Sequence, residues 1–209
     1  MKSIAGMSVL ITGGGSGIGR DCARRFCERG ARVTISGRRM DKLEAVKAEL
    51  GAQCEIVQGD VTVQADREMM LTAALHHGDG NLHALINNAA NMYRQPVDGY
   101  DEDFLKDAFN TNVVSAMMLS SMSVAPLERT EGAIVFIGST HTRRAFPGAS
   151  PYATTKAALE GLTKVMAAEL GPRKIRTGCI LPGAVSTELN VRAGLFTEEE
   201  AKDLSLIHI

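Results

Sequence analysis

Tyr152 and Lys156 stand four residues apart, and Ser139 lies thirteen residues before the tyrosine. On a helix, that spacing puts a phenol and an ammonium one turn apart on one face. A tyrosine with a pKa of about 10 is a poor acid–base catalyst at neutral pH. A neighbouring ammonium that favours the phenolate lets it pass a proton to or from a substrate oxygen. Ser139 adds a hydroxyl that can hydrogen-bond the same oxygen and hold it in place. A Tyr-x-x-x-Lys pair alone is weak evidence, since such pairs recur by chance. Taken singly, a packed tyrosine and a turn or capping serine are the plainer readings.

The weight comes from what lies upstream. Thr12–Gly19 reads TGGGSGIG, between an apolar β-branched run and an amphipathic stretch, and Asn112 precedes Ser139 at a fitting distance. Glycines allow a tight turn, let a backbone approach a pyrophosphate, and let a helix pack closely on a strand. The helix N-terminus that follows offers N–H donors and the positive end of its dipole to phosphates. Gly13, Gly15, Ser16, Gly17, Ile18 and Gly19 are therefore the expected dinucleotide cradle. A glycine-rich turn without a ligand is the competing reading.

The elements that must position these residues alternate along the chain. Strands are expected at Ser8–Thr12, Val33–Ser36, Cys54–Gln58, Leu82–Asn87, Ala133–Gly138 and Ile175–Leu181. Helices are expected at Gly17–Arg29, Asp41–Leu50, about 65–76, 101–128 and 151–170. Strand–helix alternation with right-handed crossovers gives an α/β fold, a doubly wound parallel sheet of the Rossmann type. No linker, repeat or low-complexity tract interrupts it, so residues 1–203 read as one domain. A polar helix is expected to start at Thr197–Asp203. The last six residues, Leu204 to Ile209, resemble the in-frame translation of a transposase adaptor used in making DNA libraries. They are read as a non-native tail, with a genuine short apolar terminus as the alternative.

Composition narrows the partners. The 209 residues are 44% hydrophobic and 22% charged, with a formal net charge of -1, so no basic field recruits nucleic acid or an anionic membrane. No apolar run approaches the length of a membrane span, and the N-terminus lacks the pattern of a signal peptide. Cys22, Cys27, Cys54 and Cys179 show neither metal-ligand nor disulfide-framework spacing, which suits reduced thiols in the cytoplasm.

Cofactor choice is read after the second strand, at Ser36-Gly37-Arg38-Arg39. An NAD-selective site usually places a carboxylate here for the ribose 2′-hydroxyl. Gly37 offers none, and Arg38 can pair with a 2′-phosphate. NADP(H) is therefore favoured over NAD(H). The alternative is that Arg38 and Arg39 are solvated charges opening a loop. No basic residue within the glycine loop itself strengthens the phosphate site.

Together these motifs resemble the short-chain dehydrogenase/reductase family, of the classical type, from Ser8 to about Leu189. TGGGSGIG matches its TGxxxGxG loop, and Asn87-Asn88-Ala89-Ala90 its NNAG element. Asp60-Val61 matches the position that holds the adenine, and Pro182-Gly183 with Thr187 its PG element. Asn112, Ser139, Tyr152 and Lys156 match its catalytic tetrad. The resemblance implies that Tyr152 is the acid–base group, and that Lys156 lowers its pKa and binds the nicotinamide ribose. Ser139 orients the substrate oxygen, and Asn112 holds a water that links Lys156 to solvent. Asp60, Val61, Asn88, Ala89, Pro182, Gly183, Val185 and Thr187 line the cofactor. Hydride passes directly between nicotinamide and substrate carbon, with no metal implied.

Some positions depart from the family pattern. Ala90 replaces a glycine, and Thr177-Gly178 stands where Val-Asn is usual. The family also continues with covering helices and a seventh strand, so the chain reads as truncated before them. A homo-oligomer built through the helices at 101–128 and 151–170 is implied for the full-length protein. The expected activity is reduction of a small-molecule carbonyl or oxidation of an alcohol. An NAD-dependent dehydrogenase and a non-catalytic dinucleotide-binding fragment or sensor are the alternatives. The segments 91–99, 140–150 and 188–200 should surround the substrate. Met92 and Tyr93 offer an apolar wall. His141, Arg143 and Arg144 offer cations to an acidic substrate, or are solvated loop charges.

Overall fold

Ser-Val-Leu-Ile-Thr at Ser8–Thr12 (β1) is buried along its whole length, the signature of a strand covered on both faces. Leu10 points into one apolar layer while Val9 and Ile11 point into the other. In the computed structural model, which describes residues 3–183 and 185, this strand is central to a six-stranded sheet. Its neighbours are Arg32–Gly37 (β2), Cys54–Gln58 (β3), Ala84–Asn87 (β4), Ala133–Ile137 (β5) and Arg176–Ile180 (β6). The order is β3-β2-β1-β4-β5-β6 and every pairing is parallel.

Helices cover both faces. Gly17–Cys27 (α1) and Met40–Leu50 (α2) bury Ala23, Cys27, Leu43 and Val46 against Val9, Ile11, Val33 and Ile35. On the opposite face, Gln64–His77 (α3), Ser115–Thr130 (α5) and Ser150–Leu170 (α6) bring Met70, Leu119, Leu127 and Leu159 onto Leu10, Leu85, Ile134 and Phe136. The doubly wound architecture expected from the alternation is present.

The stretch expected as one helix over 101–128 is divided. Glu102–Phe109 (α4) runs into a π-helical turn at Asn110–Val114 before α5 begins. Such wide turns concentrate at functional sites because they shift the helix register by one residue. Here the turn carries Asn112, which is 1% exposed. The fourth strand is also two residues shorter than expected, because Leu82 and His83 precede the ladder. Thr177, in place of the usual valine, donates its hydroxyl to the Thr163 carbonyl of α6 at 3.0 Å, tying the last strand to its covering helix.

Among the described residues no helix is long and apolar enough to cross a membrane. Thr187, the segment 188–200, the helix start at Thr197–Asp203 and the terminal hexapeptide lie outside the described residues.

Candidate active site

The chain's order in the sheet reverses between β1 and β4, and in open parallel sheets ligands bind at that point beyond the carboxyl ends of the strands. A cavity of about 590 Å³ lies there. It runs from the glycine loop to Tyr152, with walls from the segments that follow β1 to β6.

The loop after β1 needs its glycines. Gly13 has φ +67°, and a Cβ there would lie 2.9 Å from Asn88 Nδ2 and 3.0 Å from Ala89 Cα. Gly17 opens α1 at φ 52°, and Ser16 makes no side-chain cap, so the first-turn N–H groups are left for a ligand. Gly13, Gly15, Ser16, Gly17 and Ile18 all line the cavity, whereas Gly19 does not. Gly19 sits behind the loop, where a Cβ would press on Asn88 Nδ2 at 2.6 Å. Its smallness serves helix–strand approach rather than ligand contact.

Asn88 fastens this loop to β4. Its amide donates to Thr12 O at 2.9 Å and Gly13 O at 3.0 Å. Thr12 Oγ1 accepts from the backbone N–H groups of Asn88 and Ala89 at 3.1 and 3.0 Å. Thr12 is thus a positioning residue of the cradle, known in sequence only as the first letter of the motif.

At the far side of β2, Gly37 is followed by Arg38, whose guanidinium lies 3.8 Å from the Asp60 carboxylate. Asp60 also accepts from the Thr62 N–H at 2.9 Å and hydroxyl at 2.8 Å, which fixes it at the cavity wall. Arg39 donates to Ser16 Oγ at 3.3 Å, so a guanidinium does reach the glycine loop, from the segment between β2 and α2. Nothing within the loop announces this cation, because Arg39 lies 23 residues further along the chain.

The four residues singled out for chemistry converge from three elements. Ser139 follows β5, Tyr152 and Lys156 share the buried face of α6, and Asn112 sits in the π turn. Ser139, Tyr152 and Lys156 line the cavity and are 6%, 5% and 3% exposed. Lys156 Nζ donates to the Ile137 carbonyl at 2.7 Å and lies 5.5 Å from the centre of the Tyr152 ring. Burial pushes the Lys156 ammonium down to about 8, because a charge is disfavoured where water is excluded. Burial raises the Tyr152 phenol, and a hydrogen bond from Ser139 opposes that rise.

Asn112 stands behind the wall. Its Oδ1 accepts from Asn91 N–H at 2.9 Å, and its Nδ2 donates to Asn91 O at 3.0 Å and Thr155 Oγ1 at 3.1 Å. Both amide protons are therefore engaged, leaving one lone pair of Oδ1 for anything further.

His141 is more integrated than a loop histidine promises. Its Nδ1 lies 3.1 Å from Ser139 Oγ, its backbone N–H donates to that same oxygen at 3.2 Å, and its ring meets Tyr152 edge to face. Burial holds its pKa below the usual range, with Arg94 adding to the effect. Of the apolar pair, Met92 lines the cavity while Tyr93 turns away, its hydroxyl on Asp107 at 2.6 Å. Arg143 turns outward to Glu160 at 2.5 Å. Pro182, Gly183 and Val185 complete the wall next to Ser139, and Pro182 O accepts from Thr140 N–H at 3.0 Å.

These residues fit a nicotinamide dinucleotide, with backbone donors and cations where phosphates belong and a polar, buried trio at the opposite end. Known proteins agree. The family model described as short chain dehydrogenase matches residues 7–196. Dehydrogenase/reductase SDR family member 4 of Mus musculus is 34% identical over 199 residues, which are 93% of this chain and 70% of that protein. Gluconate 5-dehydrogenase of Gluconobacter oxydans is 32% identical over 206 residues, 96% of this chain and 79% of that protein. The crystal structure of a 3-ketoacyl-(acyl-carrier-protein) reductase from Brucella melitensis, complexed with NADH, superposes with a TM-score of 0.86 at 28% identity. It covers 96% of this chain and 83% of that one. The chain belongs to the short-chain dehydrogenase family, oxidoreductases that work with a nicotinamide dinucleotide.

Proposed function

We propose that this protein is an NADP(H)-dependent oxidoreductase that acts on a small carbonyl compound or secondary alcohol, with Tyr152 as the acid–base residue. The observation that carries the reading is the meeting of Ser139, Tyr152 and Lys156 at one end of a cavity whose other end is the glycine loop. The bound dinucleotide supplies or accepts the hydride. Tyr152 gives a proton to the substrate oxygen in reduction and takes it back in oxidation. Ser139 hydrogen-bonds that oxygen as charge develops on it. Lys156, held by the Ile137 carbonyl, keeps two further N–H donors for the nicotinamide ribose, and its charge favours the phenolate of Tyr152. Asn112 holds the Asn91 segment and α6 in register behind them. Gly13, Gly15, Ser16, Gly17 and Ile18 take the pyrophosphate, and Asp60, Val61, Asn88 and Ala89 border the adenosine half. Pro182, Gly183 and Val185 flank the nicotinamide, and the resemblance to the family's PG element assigns Thr187, outside the described residues, to the same end.

The test is Tyr152→Phe. We expect turnover to fall by about three orders of magnitude or more, given the usual weight of a positioned proton donor with its oxyanion contact. NADPH affinity, read by nicotinamide fluorescence, should change less than twofold. Turnover retained by this variant would overturn the assignment.

Preference for NADP(H) is supported by two arginines after β2, on the cavity wall, in place of a carboxylate. An NAD(H) enzyme is the second reading, favoured by the NADH bound to the Brucella relative and by the Asp60 carboxylate already opposite Arg38. Arg38→Asp should weaken NADPH and favour NADH; an unchanged ratio of kcat/KM for the two would exclude the NADP(H) reading.

A homo-oligomer through α4, α5 and α6 is supported by Phe109, Val114, Met117, Met118 and Val165, all exposed on those elements and the turn that joins them. The four free thiols suit a reducing, cytoplasmic setting.

A further inference from the structure

Two guanidiniums stand at the substrate end of the cavity with no carboxylate beside them among the described residues. Arg94 follows β4 and Arg144 follows Ser139, and both line the cavity. Neither takes part in an ion pair with any described residue, whereas Arg143, next to Arg144, is drawn away to Glu160. Arg94 is fixed from the other side. One of its terminal nitrogens donates to Pro147 O at 2.7 Å, and Gln95 N–H donates to Gly148 O at 2.8 Å. The two loops that flank the mouth are thus stapled together, with the guanidinium of Arg94 oriented by the staple. An arginine has five N–H donors, and this contact uses one.

The charge of the wall is one-sided. Among the described residues that line the cavity, Asp60 is the single acidic one, and it belongs to the adenosine side beside Arg38. Around Ser139 and Tyr152 the charged groups are Arg94, Arg144 and Lys156, with Met92 and Phe146 as apolar neighbours. A neutral ketone makes no use of two exposed cations at the rim of a site whose Ser139, Tyr152 and Lys156 are buried. A carboxylate does, because a planar guanidinium meets it with two parallel hydrogen bonds strengthened by charge.

Building on the oxidoreductase reading, we propose that the substrate is a keto acid, or the corresponding hydroxy acid, whose carboxylate is bound by Arg94 and Arg144 while its carbonyl or hydroxyl oxygen faces Ser139 and Tyr152. The carboxylate stays unchanged through the reaction. It fixes which carbon of the substrate is presented, so the distance between carboxylate and carbonyl in a good substrate is set by the gap between the arginines and Tyr152.

The experiment uses the full chain saturated with NADPH, a series of straight-chain keto acids of increasing carbonyl-to-carboxylate distance, and the methyl ester of each. Binding is followed by calorimetry and by nicotinamide fluorescence, and turnover by NADPH consumption. At least one acid should bind and react about tenfold or more better than its ester, the ratio expected when a charge-assisted hydrogen bond is lost. Arg94→Met and Arg144→Met should each reduce that ratio, and Arg143→Met, on its outward pair with Glu160, should keep it. Arg144→Met carries the decision if Arg94→Met disturbs the stapled loops. Esters that bind as well as acids, a ratio that survives both variants, or no acid bound at millimolar concentration would overturn the proposal. Acids that bind with the expected preference but are not reduced would sustain the anion site and instead count against the oxidoreductase reading.

Discussion

The side chain of Asn112 hydrogen-bonds both backbone polar groups of Asn91, accepting from its N–H at 2.9 Å and donating to its C=O at 3.0 Å. A helix and the segment leaving β4 are joined as two strands would be. Asn112→Leu should leave both groups without a partner, at a cost of about 2 kcal/mol or more. We expect a lower melting temperature together with a lower kcat, because the same side chain also holds Thr155 beside Lys156. Asn112→Asp keeps the acceptor and loses both donors, so it should fall between the two. Chemical denaturation and steady-state kinetics on the same preparations check this; an unaltered melting temperature in Asn112→Leu would contradict it.

Lys156 sets a pH dependence whose sign can be worked out. Its pKa falls from an ordinary 10.5 to about 8 on folding, so between those values the unfolded chain binds more protons than the folded one. Stability rises with pH in that window, by about 3 kcal/mol in all. Other groups titrate there as well, so the quantity to measure is the difference between wild type and Lys156→Met, by urea unfolding from pH 7 to 10.5. Without cofactor, the variant should be the more stable at pH 7, and the wild type should close the gap as pH rises. A gap independent of pH would show that the ammonium is not desolvated as the geometry indicates.

The buried thiols act in the opposite direction. Burial pushes Cys54 up to about 12 and Cys27 up to about 11. The unfolded chain therefore releases protons first, and this contribution to stability is complete below about pH 9 and lost as pH climbs towards 11–12. At pH 8 both thiols should resist a disulfide reagent in the folded protein and react only after denaturation. Rapid labelling of either one in the native state, read by peptide mass, would contradict this.

Met117 and Val114 lie exposed on consecutive turns where α5 begins, with Phe109 one turn before. If this face builds a homo-oligomer, Met117→Glu should shift the protein towards the monomer at micromolar concentration while leaving the fold intact. Light scattering decides the matter, and a monomeric wild type would remove the premise.

How much of this was readable in the sequence depends on how far apart the interacting residues lie. β1 and β2 announced themselves because runs such as Ser-Val-Leu-Ile-Thr need both faces buried, and β3, half-buried at the sheet edge, through its short β-branched run between polar residues. The glycine loop was legible because its turn and its helix are contiguous. Ser139, Tyr152 and Lys156 were legible through spacing, which a strand end and one helical turn convert into proximity. The π turn at Asn110–Val114 was not, since its residues have ordinary helix-compatible character and the widened register answers to the Asn91 and Thr155 contacts. Arg39 on Ser16 and Arg94 on Pro147 join residues 23 and 53 positions apart, and no local pattern encodes either. The choice of Arg144 over Arg143 as the cavity-lining cation turned on Glu160, which draws Arg143 outward from a different element.

The clamp between Asn88 and Thr12 spans 76 residues. On the ribosome, the glycine loop emerges long before the strand that must brace it, so the nascent chain carries a nucleotide motif that cannot yet hold a nucleotide. Closing so distant a pair ranks among the slower events of folding, because the chain must lose its freedom before the contact forms. Nucleotide capture therefore marks the joining of the two halves of the sheet, and its onset in a refolding experiment would time that event.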